Sequence, residues 1–333
     1  MTLNSKLQIH DDSKSVKKNN RSTRLGSIGI IKKLRIIRKD YLLYLLAVPG
    51  IFYFLLFKYV PMYGVTIAFR DYNIFKGLAD SPFVGFKIFE KLFGLPAFNR
   101  ALVNTVIISF AKIIFGFPAP IILSLMINEV VNVKYKKFVQ TSLLLPSFIS
   151  WVVIAGIMYV LFSPNSGIIK GIATFMGYTG RITDIMGSKS SFRYVIVLSD
   201  IWKSMGMGTI VYLAAISGID QELYEAAIID GAGKWRQMWH ITLASLRSTI
   251  VILLIMRVGG ILNAGFDQIF TLYNPLVYEV SEIIDTYVYK VGILQHNFSI
   301  ATAADLFKSV VGLTMVLLTN AIAKRIDESS GII

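Results

Sequence analysis

Three cations stand inside otherwise apolar stretches of the chain: Lys112, Lys203 and Arg257. An ionisable side chain at the centre of a bilayer costs roughly 2.5 to 3.5 kcal/mol on insertion scales, so such groups face a bundle interior or a water-filled path. A path with a positive middle favours an anionic solute. Trp202, next to Lys203, offers a stacking face, and Asn263 and Gln268 offer hydrogen-bond partners for hydroxyl groups. The competing use is internal: Lys203 or Arg257 paired with Asp200 or Asp267, and the others spent on helix contacts. Residue type leaves both uses open. Lys308, near the end of an apolar stretch, can snorkel to the surface.

Enzyme chemistry does not assemble from the remaining residues. His10, His240 and His296 are scattered without metal-ligand spacing, there are no cysteines, and the adjacent carboxylates Asp11 and Asp12 sit in a polar tail. Gly231-Ala-Gly-Lys234 invites comparison with a phosphate-binding loop. It fails the test, because Ile228 occupies the position of the first glycine and Trp235 that of the Ser/Thr. The chain is therefore read as a non-enzyme with no metal site and no cofactor of its own.

The elements that would carry these residues follow from composition. Of 333 residues, 54% are hydrophobic and 16% charged, and mean hydropathy is +0.61. A water-soluble fold of this size needs more polar surface. The apolar run Tyr41 to Phe57 lacks a small-residue cleavage site and reads as a retained first span, about 25 Å long. Five further windows are long enough to span, at about 102–127, 139–161, 194–216, 248–270 and 306–323. Pro118 and Pro120 in the second, Pro146 in the third, and Gly259, Gly260 and Gly265 in the fifth predict kinks or close helix approaches. The expected fold is all-α and polytopic, with six transmembrane helices.

The net charge of +14 resembles a nucleic-acid footprint until it is located. Six spans place both termini on one side. That side collects nineteen Lys and Arg, eleven of them in the tail 1–40, against eleven on the other side. The positive-inside rule makes the richer side cytoplasmic, in a bacterial cell membrane, and no nucleic-acid partner is needed. The organisation expected is a basic tail at 1–40, a membrane domain at 41–323 with a cytoplasmic loop at 217–247, and a short tail at 324–333.

The loop 217–247 has too much order in its sequence for a simple turn. Asp220 can cap a short helix, Glu222 sits near its positive end, and Gly231 and Gly233 end it after about ten residues. A second helix follows, with Trp235, Met238, Trp239 and Thr242 on one stripe expected to lie on the bundle or at the interface. Glu225, Ala226, Ala227, Asp230, Gly231 and Ala232, followed by Ile241 and Leu243, resemble the EAA loop of permease subunits of binding-protein-dependent ABC importers. Ala244 stands where that pattern usually has proline, which predicts a less sharply bent start to the fifth span. Lys58 to Gly64 and Phe69 to Asn73, with Pro61-Met-Tyr-Gly64, resemble carbohydrate-uptake permeases of the maltose type, and more narrowly those for complex oligosaccharides. Tyr59, Tyr63 and Tyr72 can equally anchor at a membrane boundary.

What this resemblance implies is a permease that forms the translocation path for an oligosaccharide, including an acidic, uronate-containing one. It implies docking of a separate ATPase subunit at Glu225 to Ala232, with ATP and Mg on that subunit. It further implies a second, homologous permease subunit, an extracytoplasmic solute-binding protein and a lipid surround. The alternative, an ion-coupled secondary solute transporter with Asp200, Asp267, Lys203 and Arg257 as a relay, leaves the EAA spacing unexplained.

Overall fold

The computed structural model describes residues 41–177, 180 and 184–326; the tail assigned to 1–40 and residues 327–333 lie outside them. The described residues are 77% helical, with no strands among them. Its described residues fall into two units, one up to Tyr63 and one from Gly64 onward.

In the first unit, α1 (Tyr41–Phe54) continues into a π-helical turn, Leu55–Tyr59. Leu46, Phe52, Phe57 and Val60 are all exposed. A helix apolar on every side is matched to lipid rather than water. The helical stretch Tyr44–Phe69 is long and apolar enough to cross a membrane.

In the second unit, α2 (Pro96–Gly116) starts with proline at its first position, where the missing N–H has no helical acceptor anyway. It runs on into α3 (Pro118–Asn128), and the two form one apolar span of 33 residues. Pro118 thus opens a new helical segment without a sharp break. Next, α4 (Val133–Phe148) is capped by the Asn132 side chain, which accepts from the backbone N–H of Lys134 and Tyr135. Ile149 and Ser150 are extended, and Ser150 caps α5 (Trp151–Phe162), so the third span is a pair bent by 98°. Pro146 lies in the last turn before this bend and removes one helical donor there.

The fourth span is α6 (Phe192–Ser217), 26 residues, with Arg193, Asp200 and Lys203 lowering its hydropathy. The loop helix α7 (Gln221–Ile229) and the short α8 (Lys234–Gln237) follow. The stretch Lys234–Ser245 meets α9 (Arg247–Gly259) at 57°. The bend forms without the proline that Ala244 replaces: it falls at Leu246, whose N–H still donates to the Thr242 carbonyl at 3.1 Å and whose side chain is buried. The chain unwinds from Gly260 to Gly265, makes the short helix α10 (Phe266–Leu272), and ends in α11 (Phe298–Ile326). The fifth window, expected as one helix at 248–270, is therefore two helices with a break, and the sixth begins eight residues earlier than expected.

Among the described residues, three helices can cross a membrane by length and composition, or five with each bent pair counted as one span. With α6 included, the six expected spans are all present as helices. Three apolar clusters hold the second unit together. One joins Phe98, Leu262, Tyr287 and Ala303, a second joins Ile108, Phe192, Ile196 and Ile269, and a third joins Leu125, Tyr212, Ile216 and Leu246. The α4 and α6 backbones touch: a Cβ on Gly206 would collide with the Leu143 carbonyl.

Candidate functional site

The break in the fifth span is built from glycine. Gly260 ends α9, Asn263 N–H returns to the Gly260 carbonyl at 2.8 Å, and Gly265 adopts φ +95°, a conformation other L-residues rarely hold. Unwinding leaves the Ala264 carbonyl without a helical donor. Lys112, on α2, supplies one: its Nζ donates to Ala264 O at 2.8 Å, to Asp200 Oδ1 at 3.1 Å, and to Gln268 Oε1. Those three bonds use all three protons of the ammonium. Gln268, fully buried, turns its amide the other way and donates to the Ile196 carbonyl at 2.7 Å and to Ser199 Oγ at 2.9 Å. Lys112 and Gln268 thus tie three spans together.

Arg257 differs. Its guanidinium meets Asp200 Oδ2 at 3.3 Å, and its side chain keeps 44% of its exposure, against 6% for Lys112. Two cations share one carboxylate, which leaves the group one unit positive, on the exposed side. A cavity of about 300 Å³ opens there, lined by Ser109, Lys112, Asp200, Arg257 and Asn263 among others. Of the pairings left open by sequence, Arg257 with Asp200 is the one that forms. Asp267 is exposed and takes no ion pair among the described residues.

Lys203 does not join this cluster. Its Nζ donates to the carbonyls of Pro146, Ser147 and Ile149, where α4 ends, and lies 5.5 Å from the centre of the Trp151 ring. A cation at a helix C-terminus satisfies open carbonyls and meets the negative end of the helix dipole. Trp202 lines a separate apolar cavity with Ile154, Met158 and Leu198. Lys308 is ion-paired with Asp285 rather than snorkelling free.

Between the fourth and fifth spans, Asp220 caps α7 by accepting from Glu222 N–H at 3.0 Å. The helix ends in a Schellman turn: Ala232 N–H donates to the Ala227 carbonyl at 2.8 Å, and Gly231 takes φ +75°. Gln237 Nε2 then donates to the Ala232 carbonyl at 2.7 Å, and the hydroxyls of Tyr224 and Thr242 lie 2.9 Å apart. Glu225, Ala226, Asp230 and Gly231 are exposed, with Ala227 and Ala232 half-buried. Leu223, Ile228 and Ile229 are exposed beside them. The stripe on the next helix divides, with Thr242 buried and Trp235 and Trp239 exposed.

The profile of the family described as "binding-protein-dependent transport system inner membrane component" matches residues 116–328. The chain belongs to this family. Protein LplB of Bacillus subtilis (strain 168) is 47% identical to the permease over 292 residues, covering 88% of this chain and 91% of its own. The polygalacturonan/rhamnogalacturonan transport system permease protein YteP of the same organism is 45% identical over 295 residues, covering 89% and 91%. The crystal structure of a bacterial ABC transporter involved in the import of the acidic polysaccharide alginate contains a chain that superposes with a TM-score of 0.82 at 40% identity, over 89% of the permease and 99% of that chain. The protein is thus a membrane permease subunit of an ABC importer that works with a solute-binding protein. The ion-coupled alternative loses its motivation, since three of the four charges on which it rested, Asp200, Lys203 and Arg257, are paired with one another or with backbone carbonyls.

Two features of the permease escaped residue reading. Ser109 lies one helical turn before Lys112 on the same face and lines the Arg257 cavity; that spacing was the available signal. Arg70, within the Phe69 to Asn73 stretch, donates to the carbonyls of Leu78 at 3.1 Å and Ser81 at 2.7 Å, so it staples the following loop.

Proposed function

We propose that the permease lines the import path for an acidic oligosaccharide, with ATP hydrolysed on a separate subunit. The observation that carries the acidic part is the uncompensated positive charge of the Lys112, Asp200 and Arg257 group, placed on a cavity at the broken fifth span. Broken helices beside charged groups are a recurrent way to build a mid-membrane solute site. The polygalacturonan/rhamnogalacturonan and alginate relatives support the same solute class.

The ATPase subunit, holding ATP and Mg, docks on the exposed face of α7, at Glu225, Ala226, Ala227, Asp230, Gly231 and Ala232. Small side chains at 226, 227 and 232 allow close approach. The loop behind this face is not loose: Tyr224, Met238, Ile241 and Leu243 pack on the cluster of Leu125, Tyr212, Ile216 and Leu246. A displacement of α7 therefore reaches α3, α6 and α9 through packed side chains, which is the physical requirement for coupling. A second homologous permease completes the path, an extracytoplasmic binding protein delivers the solute, and both termini face the cytoplasm of a bacterial cell. Docking acts on transport only insofar as it favours one conformation over another.

The test is reconstitution in lipid vesicles with the cognate ATPase, partner permease and binding protein, followed by ATP hydrolysis with oligogalacturonate and with neutral oligosaccharides of the same length. Stimulation confined to the acidic series is expected. Equal stimulation by the neutral series would remove the acidic solute and leave the permease assignment in place.

A further inference from the structure

We infer that Arg257 and Ser109 form a subsite for one carboxylate of the solute, and that Asp200 is an internal stand-in for that carboxylate, displaced from Arg257 when the solute arrives. The inference rests on the acidic-solute reading above and names its groups.

The argument starts from which donors are free. Of the three in-span cations, Lys203 is committed to carbonyls at the end of α4, and Lys112 has all three protons bonded. Only Arg257 keeps capacity. A guanidinium carries five N–H donors, and here a single contact of 3.3 Å to Asp200 Oδ2 engages it. A carboxylate entering the cavity can take two parallel N–H bonds from the fork, the geometry for which arginine is suited.

Ser109 is the second and independent observation. Its side chain is buried, at 4% exposure, and its Oγ has no hydrogen-bond partner, yet it lines the same cavity as Arg257. A buried hydroxyl without a partner is costly unless something else completes it. A carboxylate oxygen of the solute accepts that hydroxyl proton. No covalent step is involved.

Asp200 is built for exchange. Its Oδ1 is held by Lys112 at 3.1 Å, so the carboxylate stays compensated when Oδ2 releases Arg257. Asp200 therefore gives the arginine a counter-charge, and a neutral sugar offers nothing to replace it. The same group that neutralises Arg257 at rest penalises the wrong solute, because displacement is favourable only for an anion.

The experiment uses the complete reconstituted transporter and measures the oligogalacturonate concentration giving half-maximal stimulation of ATP hydrolysis, for wild type, Arg257→Gln, Arg257→Lys, Ser109→Ala and Asp200→Asn. Arg257→Gln should raise it about tenfold or more, and Arg257→Lys by less, since charge remains and the fork is lost. Ser109→Ala removes a hydroxyl that has no partner in the empty protein, so folded yield should hold while half-saturation rises. Asp200→Asn keeps an oxygen acceptor for Lys112 but frees Arg257, and should lower half-saturation; a merely structural aspartate would give the opposite sign. Wild type indifferent to oligogalacturonate overturns the acidic-solute reading and this inference with it. A responsive wild type matched by Arg257→Gln, Arg257→Lys and Ser109→Ala overturns the subsite alone. Weakened response in Asp200→Asn overturns the displacement.

Discussion

The Nζ of Lys203, on the fourth span, lies 3.1 Å from the Ser147 carbonyl at the end of α4, where the third span turns through 98°. A sharp bend leaves carbonyls short of helical donors, and one ammonium from a neighbouring helix reaches three here, of which only Pro146 also accepts a backbone N–H, from Ile149. Lys203→Met keeps the stem and removes the charge. It should destabilise the folded permease by about 1 to 3 kcal/mol, the cost of leaving buried polar groups open, seen as a lower unfolding temperature in detergent. An unfolding temperature equal to wild type would show that water or lipid serves those carbonyls equally well.

Gly206 and Gly156 make a matched pair for a packing test. A Cβ at Gly206 runs into the Leu143 backbone, while one at Gly156 meets nothing within 4 Å. Gly206→Ala should force α4 and α6 apart and cost on the order of 1 to 3 kcal/mol. Gly156→Ala should be neutral or slightly stabilising, since alanine is the better helix former. Fluorescence-detected size-exclusion profiles of the two variants read this directly, and similar profiles would contradict the close approach.

Gly231 closes α7 with φ +75°. Gly231→Ala strains that turn by roughly 1 to 2 kcal/mol, and Glu225→Lys reverses a charge on the exposed face. Both variants should insert into membranes at wild-type levels and lose co-purification of the ATPase. Retention of the ATPase by both would disprove docking at this loop.

Acidification offers a fourth check, away from the spans. A hydrogen bond from Lys189, with its positive charge, holds the Glu279 carboxyl below the usual carboxylate range. A lowered pKa stabilises the folded state above the ordinary carboxylate pKa, and that contribution is lost as pH falls through the folded value. The pair is exposed, so the effect is small and salt-sensitive. The difference in unfolding temperature between wild type and Glu279→Gln should close as pH falls through that range and shrink in high salt; a difference that grows on acidification would refute the pairing.

The amino-acid sequence alone carried the helical class, the spans and the capped helix of the loop between the fourth and fifth spans. Long apolar runs, Asp220 as a cap and Gly231 as a stop are local signals, and each depends on residues within one or two turns of itself. The charged groups in the spans were equally visible, but their partners were not. Lys112, Asp200 and Gln268 are 88 and 68 residues apart in successive steps, and only the packing of α2, α6 and α10 decides that they meet. The same packing sends Lys203 to the bend between α4 and α5 and leaves Arg257 as the one in-span cation of the three with donors to spare. Ionic pairing depends on distance and direction in space, and a linear chain specifies these only after its helices have packed.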